Sequence, residues 1–297
     1  MLCFHHNDLD GRCSAAIVRR FNPGCRFIEM DYRSELPITE VGDGEKVFVV
    51  DYSFQRPGDW GLLLKKTGNV VWIDHHGTSI ARAKAGEVKE KLGVGLLPGI
   101  RRTDACGAAL TWRWFNPGPM SDFDAPNPYA VVLVDRWDRW IHHDSGDVLD
   151  FVAGMKARDT RPESKVWEEL FGPDSDARAR MIQRDGAVIR RCETKENADI
   201  LSQFSYEVEF EGFRCLACNT FRRNSKFFEA ADNPYDLFVA YVHDGSKYTV
   251  SLYSEAVKVN DLAVKYGGGG HPGAAGFICE ELPWKKGSDA CDAVETG

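Results

Sequence analysis

The sequence predicts an α/β protein of two domains: a larger N-terminal domain with a parallel sheet, and a smaller C-terminal domain with a mixed sheet. In the first third of the chain, short apolar runs of strand length alternate with helix-forming segments. A long polar stretch of helix-forming residues at 174–204 predicts a helical linker. Beyond it, alternating apolar residues and glycine-containing turns predict hairpins. We therefore place the domains at residues 1–173 and 205–297.

The composition is typical of a soluble globular protein and excludes several classes. Of the 297 residues, 43% are hydrophobic and 28% are charged, and no apolar run approaches the ~20 residues that a membrane span needs. The chain begins without a secretory pattern, and its nine cysteines form no disulfide framework, so we expect a cytoplasmic protein without a membrane partner. The net charge of −8 argues against nonspecific binding of long duplexes and favours small or short anionic substrates.

The first apolar run, Met1–Phe4, is followed by a short acidic stretch. His6, Asp8 and Asp10 are each two residues apart, so their side chains project to the same side if the backbone stays extended. Carboxylates that face the same way repel one another and need a cation, which predicts a divalent-metal site. His5 is the alternative to His6, although as its neighbour in a strand it should face the opposite side.

Three later apolar runs also end in aspartate or histidine. The first two have the unbroken apolar character of buried parallel strands, and we expect the third to be strand-like as well. Because open α/β sheets form their ligand sites at the carboxyl ends of parallel strands, these residues predict one metal site at that edge. The runs and the residues that follow them are Val47–Val50 with Asp51, Val70–Ile73 with Asp74, His75 and His76, and Val131–Val134 with Asp135 and Asp138.

These motifs resemble those of the DHH phosphoesterase superfamily. The segment His6–Gly11, Asp51 and the run Asp74–His76 occur in the order that the family shows. The glycine-rich segment 267–276 is similar to the motif of that superfamily's DHHA1 domain, so the matching motifs cover nearly the whole chain. The resemblance implies that the N-terminal domain is the DHH catalytic domain and that the C-terminal domain is the DHHA1 substrate-binding domain.

The resemblance also implies two Mn²⁺ ions, in place of which Mg²⁺ or Co²⁺ could serve. Mixed carboxylate and imidazole ligands suit Mn²⁺ better than an ion that prefers thiolates. By the same resemblance, Asp51 would bridge the two ions, Asp74 would orient His75, and His76 would contact the phosphate or its leaving oxygen. The implied ligands are His6 and Asp8 for the first ion, Asp10 and His75 for the second, and one further aspartate.

Two assignments stay open from the sequence. The further aspartate is Asp138 or Asp135, and we prefer Asp138 because Asp138-Arg139-Trp140 resembles a D-x-W motif of one bacterial branch of the family. The basic pair Arg101 and Arg102 precedes a predicted helix and could contact the phosphate, while a solvated pair is the other interpretation.

The function that the resemblance implies is a Mn²⁺-dependent phosphodiesterase of the nano-RNase or oligoribonuclease type. It would cut short single-stranded oligonucleotides, as a 3′–5′ exonuclease or nano-RNase, at a two-metal site. The alternatives are a phosphatase or phosphodiesterase on a small phosphate (adenosine bisphosphate, a cyclic dinucleotide or polyphosphate) and a non-catalytic nucleotide sensor; a homodimer is left open. The residues expected to act in catalysis are Asp51, His75 and His76, and those expected to bind substrate are His76, Arg102, Gly268, Gly269, Gly270 and His271.

Overall fold

The first four strands form a parallel sheet in the order β2-β1-β3-β4. The strands are β1 (Leu2–His6), β2 (Arg26–Met30), β3 (Val47–Val50) and β4 (Val70–Ile73). The computed structural model describes residues 1–56, 58–85, 97–117, 127–141, 145–221, 225–231 and 235–286.

Strands β3 and β4 of the parallel sheet are buried on both faces, as their unbroken apolar sequences require. Every residue of β3 and β4 is buried. Phe48 packs into one apolar core and its neighbour Val49 into another, so helices cover the sheet on either side. The predicted α/β fold class is therefore confirmed, and polar side chains gather at the carboxyl ends of the strands.

Helices connect and flank these strands. They are α1 (Leu9–Phe21), α2 (Asp59–Lys66), α3 (Gly77–Ala85), α4 (Gly107–Phe115), α5 (Tyr129–Asp138), α6 (Gly146–Lys156), α7 (Lys165–Leu170) and α8 (Ser175–Phe204). The composition predicts a surface helix at 81–92 and a loop at 116–128. Residues 86–92 of the first segment and 118–126 of the second lie outside the described residues.

The prediction that Val131–Val134 is strand-like is wrong, because the run lies inside α5. Pro128 precedes the helix, and Ala130, Val131 and Val134 are buried at helical spacing. A run of four apolar residues has no clear period of its own, so the sequence could not separate a buried strand from a buried helical segment. As a consequence, Asp135 and Asp138 lie about one helical turn apart and not at a strand end.

The chain divides into two compact units, Met1–Arg190 and Arg191–Gly297. The division falls within α8, the long helix that occupies most of the predicted linker. The domain limits at 173 and 204 stay predictions. None of the helices in the described part of the chain combines the length and the apolar character that crossing a bilayer requires.

The second unit is built on a mixed sheet of seven strands in the order β11-β5-β6-β7-β8-β10-β9. The predicted hairpin of β7 and β8 forms, with Gly245 in its turn at a φ of 99°. The sequence of the last residues, 285–297, predicts a frayed end. Lys285–Lys286 nevertheless pair with β5, while 287–297 lie outside the described residues. The elements are β5 (Ser205–Phe210), β6 (Phe213–Asn219), β7 (Leu237–His243), β8 (Tyr248–Tyr253), α9 (Val259–Lys265), β9 (Gly269–His271), β10 (Ala274–Cys279) and β11 (Lys285–Lys286).

The glycine-rich segment folds as the hairpin of β9 and β10. A Cβ on Gly268 would lie 2.0 Å from the carbonyl oxygen of Gly276. Gly270 has a φ of 147°, and a Cβ there would lie 2.6 Å from the Cα of Ala275. These glycines are therefore required by the close approach of two backbone segments.

Candidate metal centre

The ends of β1, β3 and β4 and the last turn of α5 bring together most of the acidic and imidazole side chains that the sequence singled out. Within the described residues, three overlapping groups offer ligand atoms that lie within 4.8 Å of one another. Asp51 and His75 each belong to two of these groups, so the groups form one continuous cluster. The groups are His6, Asp8 and Asp51; Asp51, His75 and His76; and Asp10, His75 and Asp138.

The turn from β1 into α1 positions His6 and Asp8 of the first ligand group. Asp8 caps α1, since its Oδ1 accepts a hydrogen bond from the N–H of Gly11 at 2.8 Å, while its Oδ2 lies 2.7 Å from Nδ1 of His6. Burial opposes ionisation of Asp8, but the contacts with His6 and Gly11 outweigh it and lower the pKa of that carboxyl. A Cβ on Gly11 would lie 2.3 Å from the carbonyl oxygen of His6, so only glycine lets the helix begin this close to the strand.

Asp10 reaches the cluster from the first turn of α1, and not from the extended backbone that its spacing from Asp8 suggested. The N-terminus of α4 holds it: Oδ2 accepts from the N–H of Gly107 and Oδ1 from that of Ala108, both at 2.7 Å. Burial nevertheless raises the pKa of Asp10. A Cβ on Gly107 would lie 2.5 Å from the Cβ of Asp51, so the start of α4 must be a glycine for both aspartates to fit.

Asp51, His75 and Asp138 face one another without hydrogen bonds at the atoms that meet. Asp51 is 1% exposed, yet neither of its carboxylate oxygens has a hydrogen-bond partner, and the same holds for Nε2 of His75 and Oδ2 of Asp138. Nε2 of His75 lies 3.2 Å from Oδ1 of Asp51, 3.4 Å from Oδ2 of Asp138 and 3.6 Å from Oδ2 of Asp10. Buried polar atoms that lack partners are costly, so this arrangement implies a further group that they bind.

The pKa shifts of Asp51, His75 and Asp138 all arise mainly from the burial of these side chains. Burial, with the nearby carboxylate of Asp10 next in importance, raises the pKa of Asp51 well above its usual range and that of Asp138 to about 8. Burial also lowers the pKa of His75 and so favours its neutral, ligating form. Divalent cations would relieve the repulsion between the carboxylates and accept the lone pairs that lack partners. The oxygen and imidazole donors are those that Mn²⁺ or Mg²⁺ accept in proteins, so the residues fit such ions.

Asp74 contacts the ring of His76, and not the ring of His75 as the resemblance implied. Its Oδ1 accepts from the backbone N–H groups of His75 at 2.8 Å and His76 at 3.1 Å, and it lies 2.8 Å from Nδ1 of the His76 ring. Burial disfavours the charged form of His76, but the carboxylate of Asp74 outweighs it and raises the pKa of that ring. The ring of His76 is therefore oriented from one side, with Nε2 on the other.

Tyr32 is a member of the site that the sequence analysis missed. Its hydroxyl lies 3.1 Å from Nε2 of His76, and its ring centroid lies 4.8 Å from that of His6. Burial raises the pKa of Tyr32, and the carboxylate of Asp51 adds to the shift. A signal was present, because Tyr32 follows β2 just as the predicted ligands follow the other three strands of the sheet.

Asp135 lies outside the ligand groups and accepts a hydrogen bond at the N-terminus of α4 instead. Its Oδ1 accepts from the N–H of Cys106 at 2.7 Å, and its Oδ2 lies 3.2 Å from Nη1 of Arg139. It thus supplies the acceptor that the first N–H groups of a helix need. The geometry favours Asp138 over Asp135 as the further ligand, which stays a proposal.

The residues predicted to bind substrate are not all part of the cluster. Arg102 forms two hydrogen bonds with Asp104, at 2.8 and 2.5 Å, and Arg101 donates to the carbonyl oxygens of Trp72 and Leu97. The remaining predicted residues, Gly268, Gly269, Gly270 and His271, lie in or beside β9 of the second unit.

No family model and no curated protein matches the chain. Among solved structures, the pGpG-specific phosphodiesterase PggH from Vibrio cholerae is similar at 13% identity and a TM-score of 0.52, over 94% of this chain and 93% of that one. An exonuclease RecJ bound to manganese is similar at 16% identity and a TM-score of 0.44, over 94% and 86%. An uncharacterised protein from Helicobacter pylori G27 is similar at 15% identity and a TM-score of 0.40, over 96% and 94%. At these identities the similarity shows the fold alone, which this chain shares with PggH.

Two matched variants separate the aspartates of α5. We expect Asp138→Asn to weaken Mn²⁺ binding by about 100-fold or more, because it removes a charged ligand atom from the cluster. Asp135→Asn keeps an oxygen that can accept from the N–H of Cys106, so we expect its Mn²⁺ affinity to stay near that of the wild type. Titration calorimetry with Mn²⁺ measures both, and the reverse order would move the ligand assignment to Asp135.

The stability of the metal-free protein should depend on pH through Asp138. Its folded pKa is about 8, whereas an unfolded aspartate titrates near ~4. The stabilisation from the protonated form is complete below the unfolded pKa and is lost as the pH rises through the folded one. In a chelator, we expect the melting temperature to fall between about pH 5 and pH 9, and to fall less in Asp138→Asn. Equal slopes in the two proteins would contradict this assignment.

Proposed function

We propose that the protein is a metal-dependent phosphoesterase that hydrolyses phosphodiester bonds of short oligonucleotides at a two-metal site. The observation that carries the proposal is Asp51, a buried carboxylate with two oxygens that lack partners, shared between groups of potential ligands. A bridging carboxylate is what a pair of metal ions a few ångströms apart requires. Mn²⁺ is the ion we expect, with Mg²⁺ or Co²⁺ as alternatives.

The proposed ligands divide between two ions, and Asp51 would be shared by both. His6 and Asp8 would hold one ion. Asp10, His75 and Asp138 would hold the other. Divalent cations bound there supply a deprotonated water near neutral pH and neutralise charge on the phosphoryl oxygens.

His76 is the residue we propose for contact with the scissile phosphate. Its Nδ1 is engaged by Asp74, which leaves Nε2 for a substrate oxygen in place of the Tyr32 hydroxyl. The raised pKa favours the imidazolium form, which donates a hydrogen bond at that atom. Asp74 thereby orients the donor and stabilises its charge. The nucleophile would be water bound at the metal site, so no serine or cysteine nucleophile is needed.

The second unit is proposed to bind the rest of the substrate. The N–H of Gly268 already donates to the carbonyl oxygen of Ala263 at 2.9 Å, so its proposed role is to let an anion approach the backbone of Gly269 and Gly270 closely. The exposed His271 adds a side-chain donor. Arg102 is proposed as a further phosphate contact, for which it must exchange the carboxylate of Asp104. The unpaired cysteines in the described part of the chain support a reducing, cytoplasmic setting.

A short oligonucleotide is the substrate class we favour over a small phosphate. PggH, the similar structure with the TM-score of 0.52, is described as specific for the dinucleotide pGpG. Adenosine bisphosphate, a cyclic dinucleotide and polyphosphate remain the alternative substrates. A non-catalytic sensor is disfavoured, because a sensor does not need the full set of ligands around Asp51. A screen of RNA and DNA oligomers of two to about ten nucleotides, beside these small phosphates, separates the substrate classes.

Replacement of the proposed bridging carboxylate should abolish hydrolysis. Asp51→Asn removes the charge that both ions share, so we expect loss of activity by about 10³-fold or more at saturating Mn²⁺. The assay is hydrolysis of bis(4-nitrophenyl) phosphate with Mn²⁺ and with a chelator. Asp59→Asn, at another buried aspartate on α2, is the matched control and should stay near wild type. Activity of Asp51→Asn within tenfold of wild type would contradict the two-metal proposal.

His271 tests the role of the second unit. His271→Ala should lower kcat/KM for a dinucleotide by about 100-fold, as expected for one lost donor to a phosphate in the transition state. The same variant should bind Mn²⁺ normally. His243→Ala, at another exposed histidine of that unit, serves as the control and should leave hydrolysis unchanged. Unchanged kcat/KM in His271→Ala would remove this residue from the proposed substrate contacts.

A further inference from the structure

Tyr32 places a hydroxyl at the ring nitrogen of His76 that we assign to the substrate. The hydroxyl oxygen lies 3.1 Å from Nε2 of His76. Nδ1 of the same ring faces Oδ1 of Asp74 at 2.8 Å, so the ring has one nitrogen left for the substrate. When Nε2 donates to a phosphate oxygen, as proposed above, the hydroxyl of Tyr32 loses this partner, and its proton is available to the same phosphate.

The backbone and the ring of Tyr32 are both held in place. Oδ1 of the preceding residue, Asp31, accepts from two backbone N–H groups further along the turn, at 2.6 and 3.0 Å. The ring centroid of Tyr32 lies 4.8 Å from that of His6 and 6.3 Å from that of the buried Tyr52. The hydroxyl of Tyr52 donates in turn to the carbonyl oxygen of Asp31 at 3.1 Å. A donor that is positioned before the substrate arrives needs no reorganisation when the substrate binds.

The ring and the hydroxyl of Tyr32 have separable roles. A phenylalanine would keep the contacts with His6 and Tyr52, because these are contacts between rings. The hydroxyl instead reaches the cluster, since its partner His76 belongs to one of the ligand groups. Tyr32 is 47% exposed, so a ligand can reach the side chain from solvent. The hydroxyl is therefore a polar group beside the place where a phosphate would bind.

We propose that the hydroxyl of Tyr32 donates a hydrogen bond to the scissile phosphate, at an oxygen next to the one that Nε2 of His76 holds. This inference rests on the function proposed above. A phosphate presents adjacent oxygens, so two donors 3.1 Å apart can each bind one of them. The tyrosine hydroxyl also adds a donor to the phosphate without placing a further charge beside His6, a proposed metal ligand.

The first test removes the hydroxyl and keeps the ring. In the full-length protein, Tyr32→Phe should lower kcat/KM by about 100-fold for a 5′-phosphorylated dinucleotide, as expected for one lost donor to the phosphate in the transition state. The loss should be similar for bis(4-nitrophenyl) phosphate, because both substrates contain the scissile phosphate. A loss confined to the dinucleotide would overturn the inference, since Tyr32 would then contact another part of the substrate.

Tyr129→Phe is the matched control. It also removes a tyrosine hydroxyl that has a hydrogen-bond partner, Nε2 of Gln183 at 3.1 Å, in the same unit of the chain. We expect its kcat/KM to stay near that of the wild type on both substrates.

A second comparison separates direct contact with the phosphate from positioning of His76. If Tyr32 acts only through His76, then Tyr32→Phe should have no effect in a protein that already carries His76→Ala. A direct donor should still lower kcat/KM by about tenfold or more in that background. The absence of a further loss would refute the proposed contact with the phosphate.

The affinity for Mn²⁺ and the melting temperature test a structural role for the hydroxyl. Because phenylalanine keeps the ring against His6, Tyr32→Phe should bind Mn²⁺ and melt as the wild type does. Titration calorimetry and thermal unfolding measure these quantities without substrate. A fall in Mn²⁺ affinity that accounts for the lost activity would mean that Tyr32 acts on the metal ligand His6, and the inference would be wrong.

The outcomes also separate this inference from the proposed function. If Tyr32→Phe keeps wild-type kcat/KM on both substrates, the inference is wrong and the phosphodiesterase proposal stands. If the wild type cleaves neither a dinucleotide nor bis(4-nitrophenyl) phosphate with Mn²⁺, Mg²⁺ or Co²⁺, the proposed function fails and the inference fails with it.

Discussion

The carboxylates of Asp10, Asp51 and Asp138 converge on one ring nitrogen of His75, and the surrounding elements are arranged to tolerate this crowding of like charge. Backbone N–H groups at the start of α4 stabilise the buried charge of Asp10, and the start of α1 does the same for Asp8. No comparable donor reaches Asp51 among the described residues. The protein thus offsets the repulsion only in part, and a bound cation would supply the remainder.

The strand ends of the site could be predicted because their information is local. Four or five consecutive, mostly apolar residues are enough to predict each of the strands β1, β3 and β4, and the proposed ligands lie at or directly after the strand ends. Because the strands pair in parallel, their carboxyl ends lie at one edge of the sheet regardless of the conformation of the loops. The strand prediction was wrong for the fourth apolar run, Val131–Val134, because four apolar residues fit a buried helix as well as a strand.

The details that the sequence did not give depend on contacts between distant segments. Asp74 could accept from either neighbouring imidazole, and the backbone turn after β4 decides for His76. Asp135 and Asp138 are the same residue type, one helical turn apart, so the sequence alone does not distinguish them. The position of α4 does, because its cap residue Cys106 donates to Asp135 and Asp138 stays with the cluster. Tyr32 was not predicted because it is not a charged residue or a typical metal ligand. Its contact with His76 depends on the pairing of β2 with β1.

Strain is concentrated beside this cluster. Three residues other than glycine have positive φ in the described chain, and two of them are Asp51 at 51° and Trp140 at 58°. Asp51 is buried, and neither of its carboxylate oxygens has a hydrogen-bond partner among the described residues. The left-handed backbone and the uncompensated carboxylate of Asp51 both cost stability, and a bound cation would compensate that carboxylate. The strained position of Asp51 is therefore explained by the binding of a cation, whereas the requirements of folding alone do not explain it.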